Sequence, residues 1–130
     1  MLLKHVGLAC STETNADKFY QTLLGLNKSE PKTLPLDLSR AIFDVEAELK
    51  IIDYMSKDLH FEVFIASRID NKHRQIAHLC LEVGALSEFI QKCRSLGVEI
   101  SRIPKGDKIL TFIKDFDGNL FEIKVSSRGN

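Results

Sequence analysis

Alternating hydrophobic and polar residues run through four short segments of the chain, each long enough for one β-strand. The segments are residues 2–10, 59–66, 76–83 and 119–125. In each segment one face is mostly apolar, whereas the other face carries small or polar side chains. The polar face always includes a histidine or a glutamate. We therefore expect four strands that pack one face on helices and turn the other face toward a cavity.

Two segments with helical spacing of apolar residues follow the first and third of these strands. The first helix is predicted over residues 13–24, with Ser11 or Thr12 as its N-cap, and the second over residues 85–96. Their apolar residues recur at the intervals of a helix with one buried face. A glycine follows each helix and is expected to end it, because glycine readily takes the left-handed conformation.

Three further strands are predicted over residues 47–55, 98–103 and 108–114. The segment 26–46 has the weakest pattern, and we expect it to be a loop with a helical turn at residues 38–43. The resulting order of elements is β-α-β-β-β, and it occurs twice.

The repeat extends to individual residues. His5 and His78 each take the second place in a short apolar strand, and Glu62 and Glu122 each follow a phenylalanine in the strand that closes a copy. A Leu-Gly-apolar step also ends the helix of each copy. Matches in the same order and at similar intervals indicate an internal duplication.

The repeat predicts a single α+β domain over residues 1–130, built from two tandem βαβββ modules with a curved mixed sheet around a cavity. Module one covers about residues 1–68 and module two about residues 74–126. A content of 44% hydrophobic and 28% charged residues is typical of a globular protein, and 130 residues are enough for a core.

Charge and cysteine content argue against several classes. The chain has 18 basic and 18 acidic residues, whereas a nucleic-acid binder or a polybasic membrane anchor carries a basic excess. No apolar run approaches the roughly 20 residues of a membrane span, and the N-terminal sequence does not resemble a signal peptide. Cys10, Cys80 and Cys93 are too widely spaced for a metal knuckle or a disulfide framework. We expect a cytoplasmic protein in which Cys10 and Cys93 are buried and Cys80 lines the cavity.

Four residues on the predicted cavity face have side chains that bind metals: His5, Glu62, His78 and Glu122. Two imidazoles and two carboxylates suit a borderline divalent ion such as zinc, nickel, cobalt, iron or manganese. Their spacing alone is not specific, since a chain of this length contains scattered histidines and glutamates. Their matching places in the two copies are what identify them as candidate ligands of a metal-binding cavity.

The sequence resembles the vicinal oxygen chelate superfamily, which includes glyoxalase I, methylmalonyl-CoA epimerase, extradiol dioxygenases, and fosfomycin and bleomycin resistance proteins. The resemblance covers nearly the whole chain, and it is carried by residues 4–8, 19–20, 24–26, 61–64, 76–79 and 115–122. The last segment, Asp-Phe-Asp-Gly-Asn-Leu-Phe-Glu, is similar to the family ending D-P-D/S-G-N-x-x-E, with Phe116 where proline is usual. Its Asp117-Gly118 pair predicts a hairpin turn.

The resemblance implies that the metal ligands come from the first and last strands of each module, namely His5, Glu62, His78 and Glu122. If the strand at 47–55 closed module one instead, Lys50 would take the place of Glu62. A His/Glu/His/Glu set is similar to that of glyoxalase I, whereas extradiol dioxygenases and fosfomycin-modifying enzymes offer two histidines and one glutamate.

The implied activity is that of a metal-dependent lyase or isomerase acting on a small substrate with vicinal oxygens. The metal, zinc or nickel before cobalt, iron or manganese, would stabilise an enediolate, with Glu122 or Glu62 as the base. A metal-free drug-binding or resistance protein and an Fe(II) extradiol-type dioxygenase are the alternatives. The sequence shows no clear set of arginines for glutathione, so glutathione is not supported as the thiol partner.

The resemblance also implies a homodimer. Each of its sites would combine His5 and Glu62 of one chain with His78 and Glu122 of the other. The alternative is a site built by both modules of one chain.

Five other residues have less specific interpretations. His60 lies on the same face as Glu62 and is either an extra ligand or proton shuttle, or an exposed histidine at a strand end. His73 lies in a polar stretch that is expected to be a solvated loop. Phe64, Tyr54 and Phe112 are candidates for an apolar cavity wall, or for ordinary packing.

Overall fold

The computed structural model describes residues 1–67 and 76–126 of the chain. The chain forms two compact units, Met1–Ile69 and Asp70–Asn130. His73 lies outside the described residues, so its assignment to a loop stays a prediction.

The first unit contains one mixed sheet and its helices. Its elements in chain order are β1 (Val6–Cys10), α1 (Glu13–Ala16) with a π-helical continuation (Asp17–Leu23), β2 (Asn27–Lys28), β3 (Lys32–Leu34), α2 (Leu36–Phe43), β4 (Leu49–Met55) and β5 (His60–Ile65). The strands are ordered β1-β5-β4-β2, and β3 also pairs with β4. Only the β1–β5 pair is parallel among these described strands. β5, rather than β4, therefore closes the unit beside β1.

The helical segment after β1 packs its apolar face on this sheet. Phe19 and Tyr20 are fully buried, and the Tyr20 ring lies 5.6 Å from Tyr54 and 5.4 Å from Phe61, measured between centroids. Burial of a large apolar side chain contributes about 1.5–3 kcal/mol, so this cluster is the main core of the unit. Tyr54 therefore belongs to the core, and its assignment to the cavity wall is wrong.

The start of the first helix agrees with the sequence, but its later course differs. The Thr12 hydroxyl oxygen accepts a hydrogen bond from the backbone N–H of Asn15 at 3.1 Å, which confirms Thr12 as the N-cap. From Asp17 the helix is π-helical, and the N–H of Leu24 donates to the carbonyl of Phe19, five residues earlier. The wider turn still places apolar residues on the sheet side, which is why the spacing alone did not reveal it.

Ion pairs and a buried hydroxyl connect this helix to the strands. Lys28 pairs with Glu13 and Asp17, and Lys50 reaches Glu13 at 3.0 Å. The Tyr54 hydroxyl donates to Asp17 at 2.8 Å.

The second unit has the simpler form of the module. Its elements are β6 (His78–Val83), α3 (Leu86–Leu96), β7 (Glu99–Lys105), β8 (Lys108–Lys114) and β9 (Leu120–Val125), and its strands are ordered β6-β9-β8-β7 with β6 and β9 parallel. Gly97 ends α3 in the left-handed conformation with a φ of 73°. The core residues Ile90, Cys93, Ile113 and Phe121 are buried between α3 and the sheet face that the alternation predicts.

The architecture confirms the α+β class and the two βαβββ-like modules. Instead of one sheet, the strands form two separate sheets, one in each unit. Module one also has the additional helix α2, where a helical turn at 38–43 was expected, and the short strands β2 and β3 within the predicted loop. None of the helices in the described part of the chain is long and apolar enough to cross a membrane.

Candidate functional site

His5 and Glu62 come together at one edge of the first sheet. Parallel pairing of β1 with β5 sets Gly7 opposite Glu62, and His5 lies two residues before Gly7 on the same face. Nε2 of His5 is 3.8 Å from Oε1 of Glu62, and their side chains are 45% and 22% exposed. The histidine is thus open to a ligand, while the glutamate is half-buried beside it.

His78 and Glu122 form a matching pair in the second unit. Nε2 of His78 is 3.9 Å from Oε1 of Glu122, and the side chains are 40% and 17% exposed. Nδ1 of His78 lies 2.8 Å from the backbone carbonyl of Ile76. A carbonyl only accepts, so Nδ1 carries the proton of the neutral ring, and Nε2 keeps the lone pair that a metal requires.

The two pairs have equivalent places in the two sheets. Glu62 and Glu122 each lie on the strand that pairs in parallel with the first strand of its unit. His5 and His78 each lie two residues before the residue opposite the glutamate. The internal repeat seen in the sequence is therefore a repeat of strand register.

Each pair has the chemistry and the spacing of metal ligands. Metal–nitrogen and metal–oxygen bonds of about 2.1 Å allow two ligands of one ion to lie up to about 4.2 Å apart. The separations of 3.8 and 3.9 Å lie within that limit. Among residues 1–67 and 76–126, no three or more His, Cys, Asp or Glu side chains are grouped for a metal ion. Each unit thus presents two potential ligands, a residue set that fits a divalent ion but does not complete a coordination shell.

Lys50 lies on the other face of the first sheet. It is opposite Ile65 in the register, three residues along β4 from Asp53, which is opposite Glu62. Its ammonium group pairs with Glu13. The alternative that places Lys50 beside His5 is therefore wrong.

A polar network that the sequence did not reveal lies next to the His5–Glu62 pair. Nε2 of His60 is 2.8 Å from Oδ1 of Asp53, and the Lys32 ammonium group is 3.1 Å from Oδ2. The imidazole rings of His5 and His60 are 5.4 Å apart. Burial raises the pKa of Asp53, but the hydrogen bonds from His60 and Lys32 outweigh it and hold that pKa below its ordinary value. The signal in the sequence was an aspartate within the apolar stretch from Ile51 to Met55.

The burial predicted for two of the three cysteines is confirmed, and the place of Cys80 at a cavity stays a prediction. Cys10 and Cys93 are buried, and Cys80 is exposed on the His78 face, opposite Glu122. Partial desolvation and, second, the nearby Glu122 carboxylate raise the pKa of the Cys80 thiol, which disfavours the thiolate of a catalytic nucleophile.

The aromatic residues expected at a cavity wall divide between the two faces. Phe112 lies 6.1 Å from His78 between ring centroids, and it is opposite Glu122 in the register. Phe64 is next to Gly7, where an added Cβ would lie 3.5 Å from its ring. These two residues share a face with the histidine–glutamate pairs, unlike Tyr54.

The Asp-Phe-Asp-Gly-Asn segment forms the turn that leads into β9. Oδ1 of the buried Asp115 accepts hydrogen bonds from the backbone N–H groups of Asp117 and Asn119, and Oδ2 accepts from the Asn119 amide. Gly118 has a φ of 89°, which glycine adopts without strain. The motif therefore sets the start of the strand that carries Glu122, and the predicted hairpin turn is confirmed.

Comparison with solved structures supports the fold. The chain is similar to a glyoxalase family protein from Enterococcus faecalis, with a TM-score of 0.72 and 20% identity over 94% of this chain and 95% of that one. It is also similar to the fosfomycin resistance protein FosX from Listeria monocytogenes, with a TM-score of 0.72 and 16% identity over 98% and 94% of the two chains. A mutant of that FosX, complexed with Mn(II) and 1S,2S-dihydroxypropylphosphonic acid, has a TM-score of 0.73 and 16% identity over 96% and 92%.

A search of curated proteins found no match. The model of the Glyoxalase/Bleomycin resistance protein/Dioxygenase superfamily matches residues 2–123, which is nearly the whole chain. The matched range includes both histidine–glutamate pairs. The chain belongs to the glyoxalase/bleomycin resistance protein/dioxygenase superfamily.

Proposed function

We propose that the protein is a metal-dependent lyase or isomerase of the glyoxalase-like type. The observation that carries this proposal is the occurrence of one histidine–glutamate pair in each unit, at equivalent places and with nitrogen–oxygen distances of 3.8 and 3.9 Å. A protein that only bound a small molecule would not need two such pairs.

The ligands of the metal in this proposal are His5, Glu62, His78 and Glu122. When bound, a divalent ion would supply Lewis-acid polarisation of a substrate oxygen. Zinc and nickel are the first candidates for this set of nitrogen and oxygen donors, and cobalt, iron and manganese are further candidates. The similar FosX structure that is complexed with Mn(II) supports a divalent ion in this fold.

One of the two glutamates, loosely bound to the metal, would move a proton on the carbon next to a carbonyl group of the substrate. Glu122 is the first candidate, because its side chain is only 17% exposed and lies between Cys80 and Phe112 on the neighbouring strands. Glu62 is the second candidate, with 22% exposure. A base in such a shielded place exchanges the abstracted proton with water more slowly, so it can return the same proton to the substrate.

The substrate in this proposal is small and has oxygens on adjacent atoms, so that both can approach the metal. The ligand of the FosX complex, 1S,2S-dihydroxypropylphosphonic acid, has two adjacent hydroxyl groups, which supports this class of compound.

Metal binding by the purified protein tests the proposal. The protein should be stripped with a chelator and titrated with Mn(II), Zn(II) and Ni(II), with free Mn(II) measured by electron paramagnetic resonance. His5→Ala and His78→Ala should each weaken binding at least about tenfold, the lower limit for loss of a group that supports a metal.

Lys50→Met is the matched control, because Lys50 lies on the other face and should leave the affinity unchanged. Wild-type protein that binds no divalent ion, or alanine variants with full affinity, would contradict the proposal and favour a metal-free binding protein.

We also propose that two chains share each site in a homodimer, as the family resemblance implies. The formal net charge of zero opposes association little. Co-refolding His5→Ala with His78→Ala tests this arrangement. In a shared-site heterodimer one site keeps all four ligands and the other keeps two, so up to about half of the tight Mn(II) sites should return. A monomeric mass with no recovery of tight sites would contradict it.

A further inference from the structure

The two histidine–glutamate pairs have the same register but different neighbours. Opposite Glu62 on β4 lies Asp53, whereas Phe112 lies opposite Glu122 on β8. Two residues before each glutamate, the first unit has His60 and the second has a leucine, Leu120. The first unit is therefore polar at two places where the second unit is apolar.

The polar residues of the first unit form an ordered arrangement. Asp53 is only 8% exposed, and its carboxylate receives the His60 imidazole at 2.8 Å and the Lys32 ammonium group at 3.1 Å. Because a carboxylate only accepts, Nε2 of His60 must donate, and Nδ1 of the neutral ring is then an acceptor. The His60 side chain is 27% exposed, so Asp53 fixes both the tautomer and the orientation of a ring that solvent and ligands can reach.

This network is not a requirement of the module. The second unit folds with Phe112 and Leu120 at the equivalent places, so a purely structural role would be served as well by apolar residues. A buried carboxylate is unfavourable unless it is paired, and pairs of this kind are often replaceable by hydrophobic residues without loss of stability. The His60 ring of this network lies 5.4 Å from the His5 ring, between centroids, and this position points to a ligand-binding role for the network.

We infer that His60, oriented by Asp53, contacts the substrate and accepts a hydrogen bond from a substrate hydroxyl group at its Nδ1 atom. This inference rests on the proposed function, because the hydroxyl group is placed by chelation next to the His5–Glu62 pair. His60 is a substrate-contacting residue, and Asp53 is a positioning residue that acts through it.

The tautomer is tested first, in the metal-free protein. Nitrogen-15 NMR of the imidazole side chains should show His60 as the Nε2–H tautomer in the wild type. Asp53→Asn should raise the fraction of the other tautomer, whereas Asp58→Asn, a change of the same chemistry at an exposed turn residue, should not. A wild-type His60 in the Nδ1–H form would overturn the inference without any reference to metal.

Ligand binding is tested with Mn(II)-loaded protein and two bidentate probes. Glycolate chelates through a carboxylate and a hydroxyl group, whereas oxalate has no hydroxyl hydrogen to donate. His60→Leu, which introduces the residue of the second unit, should weaken glycolate binding about fivefold, the effect of one lost hydrogen bond, and change oxalate binding less than about twofold. His60→Gln and Asp53→Asn should weaken glycolate binding less, in the same direction.

The outcomes separate this inference from the proposed function. Mn(II) affinity should remain within about twofold of wild type in all three variants, because neither residue is a proposed ligand and their hydrogen bonds run to each other and to Lys32 rather than to a ligand. Three outcomes would overturn the role of His60 alone. They are equal losses of affinity for glycolate and oxalate in the variants, no loss of affinity for either, and a wild type that binds oxalate but not glycolate. A wild-type protein without Mn(II) binding would overturn the proposed function and this inference together. Thermal melting of each variant identifies any that fails to fold, and the remaining variants then decide.

Discussion

The turn between β8 and β9 offers a test of what the most specific motif of the sequence does. In the structure, the Asp115 carboxylate accepts hydrogen bonds from the backbone N–H groups of Asp117 and Asn119, each at 2.9 Å, and from the Asn119 amide at 2.7 Å. Asp115 is 5% exposed, so water does not readily replace these contacts. We predict that Asp115→Ala destabilises the second unit without removing a metal ligand.

The magnitude follows from the three lost acceptor contacts. A hydrogen bond to a charged group contributes about 1.5–3 kcal/mol, but the contributions of three bonds to one carboxylate are not additive. The half-buried donors in Asp117 and Asn119 regain part of their hydrogen bonding from water. We therefore expect a loss of about 2–4 kcal/mol in the free energy of unfolding, well below the sum. Asp115→Asn keeps one acceptor oxygen and should lose about half as much.

The assay is urea unfolding followed by far-ultraviolet circular dichroism, because the chain has no tryptophan and both tyrosines lie in the first unit. Asp107→Ala, at an exposed turn residue between β7 and β8, is the control and should change the free energy of unfolding by less than about 0.5 kcal/mol. If Asp115→Ala is no more harmful than the control, the assignment of the motif to the turn is wrong. A folded Asp115→Ala variant that loses Mn(II) affinity at least tenfold would instead show that the motif also positions Glu122 for the metal.

Three further predictions concern the first unit and the thiols. Burial and, second, the hydrogen bond to the Asp17 carboxylate raise the pKa of Tyr54 far above its ordinary value of 10.0. The stability that the Tyr54 hydroxyl contributes should therefore be complete below about pH 10 and fall as the pH rises further. Tyr54→Phe should cost about 1 kcal/mol at neutral pH and remove that alkaline loss, as urea unfolding at several pH values would show. Hydrogen bonding to Lys28 is the largest cause that lowers the pKa of Glu13 below 4.5. The stability that this ion pair contributes is therefore present above about pH 4.5 and is lost on acidification. Lys28→Met should make the free energy of unfolding depend less on pH in the acid range, and an unchanged dependence would contradict the ion pair. Ellman's reagent should modify one thiol of the native protein quickly, that of Cys80, and all three after unfolding, whereas three fast thiols would show that the other two are not buried.

The second unit could be predicted from the sequence almost residue by residue. The helix expected at 85–96 is observed at Leu86–Leu96, and the strand expected at 108–114 has the same limits in the structure. Both have one buried and one exposed side, so hydrophobic periodicity describes them well. The left-handed Gly97 marks the end of the helix, as its chemistry requires.

The first unit was predicted less well, for identifiable reasons. β4 is a central strand, and the four residues from Ile51 to Tyr54 are all buried, so alternation could not tell which face Tyr54 occupies. The strands Asn27–Lys28 and Lys32–Leu34 are too short for periodicity to identify. The π-helical turn has no distinct pattern, because residues five apart also lie near one face over a single turn.

The candidate ligands could be identified from the sequence because they occupy matching places in the internal repeat. The polar network around the first pair could not be identified in this way. His5, Glu62, His78 and Glu122 can be aligned within one sequence without knowing how strands pair. The contact of His60 with Asp53 depends on the antiparallel register of β4 and β5, which places Asp53 opposite Glu62. No spacing along the chain gives that register, because the hairpin between the strands determines it.

The two histidine–glutamate pairs have the same residues and the same register, but the side chains next to them differ. This difference bears on how a substrate would be oriented. If the two pairs hold one ion, as we propose, their chemical equivalence would let a bidentate molecule bind in two orientations related by the repeat. In such a proposed site Asp53 and His60 would supply hydrogen-bonding groups, whereas Phe112 and Leu120 would supply apolar ones, so only one orientation would satisfy a hydroxyl group and bury a carbon chain. The double variant Asp53→Phe with His60→Leu gives the first unit the side chains of the second. It should therefore bind Mn(II) normally, but its affinity for glycolate relative to oxalate should fall at least about fivefold. If that ratio did not change, the asymmetry of the two units would not be what orients the substrate.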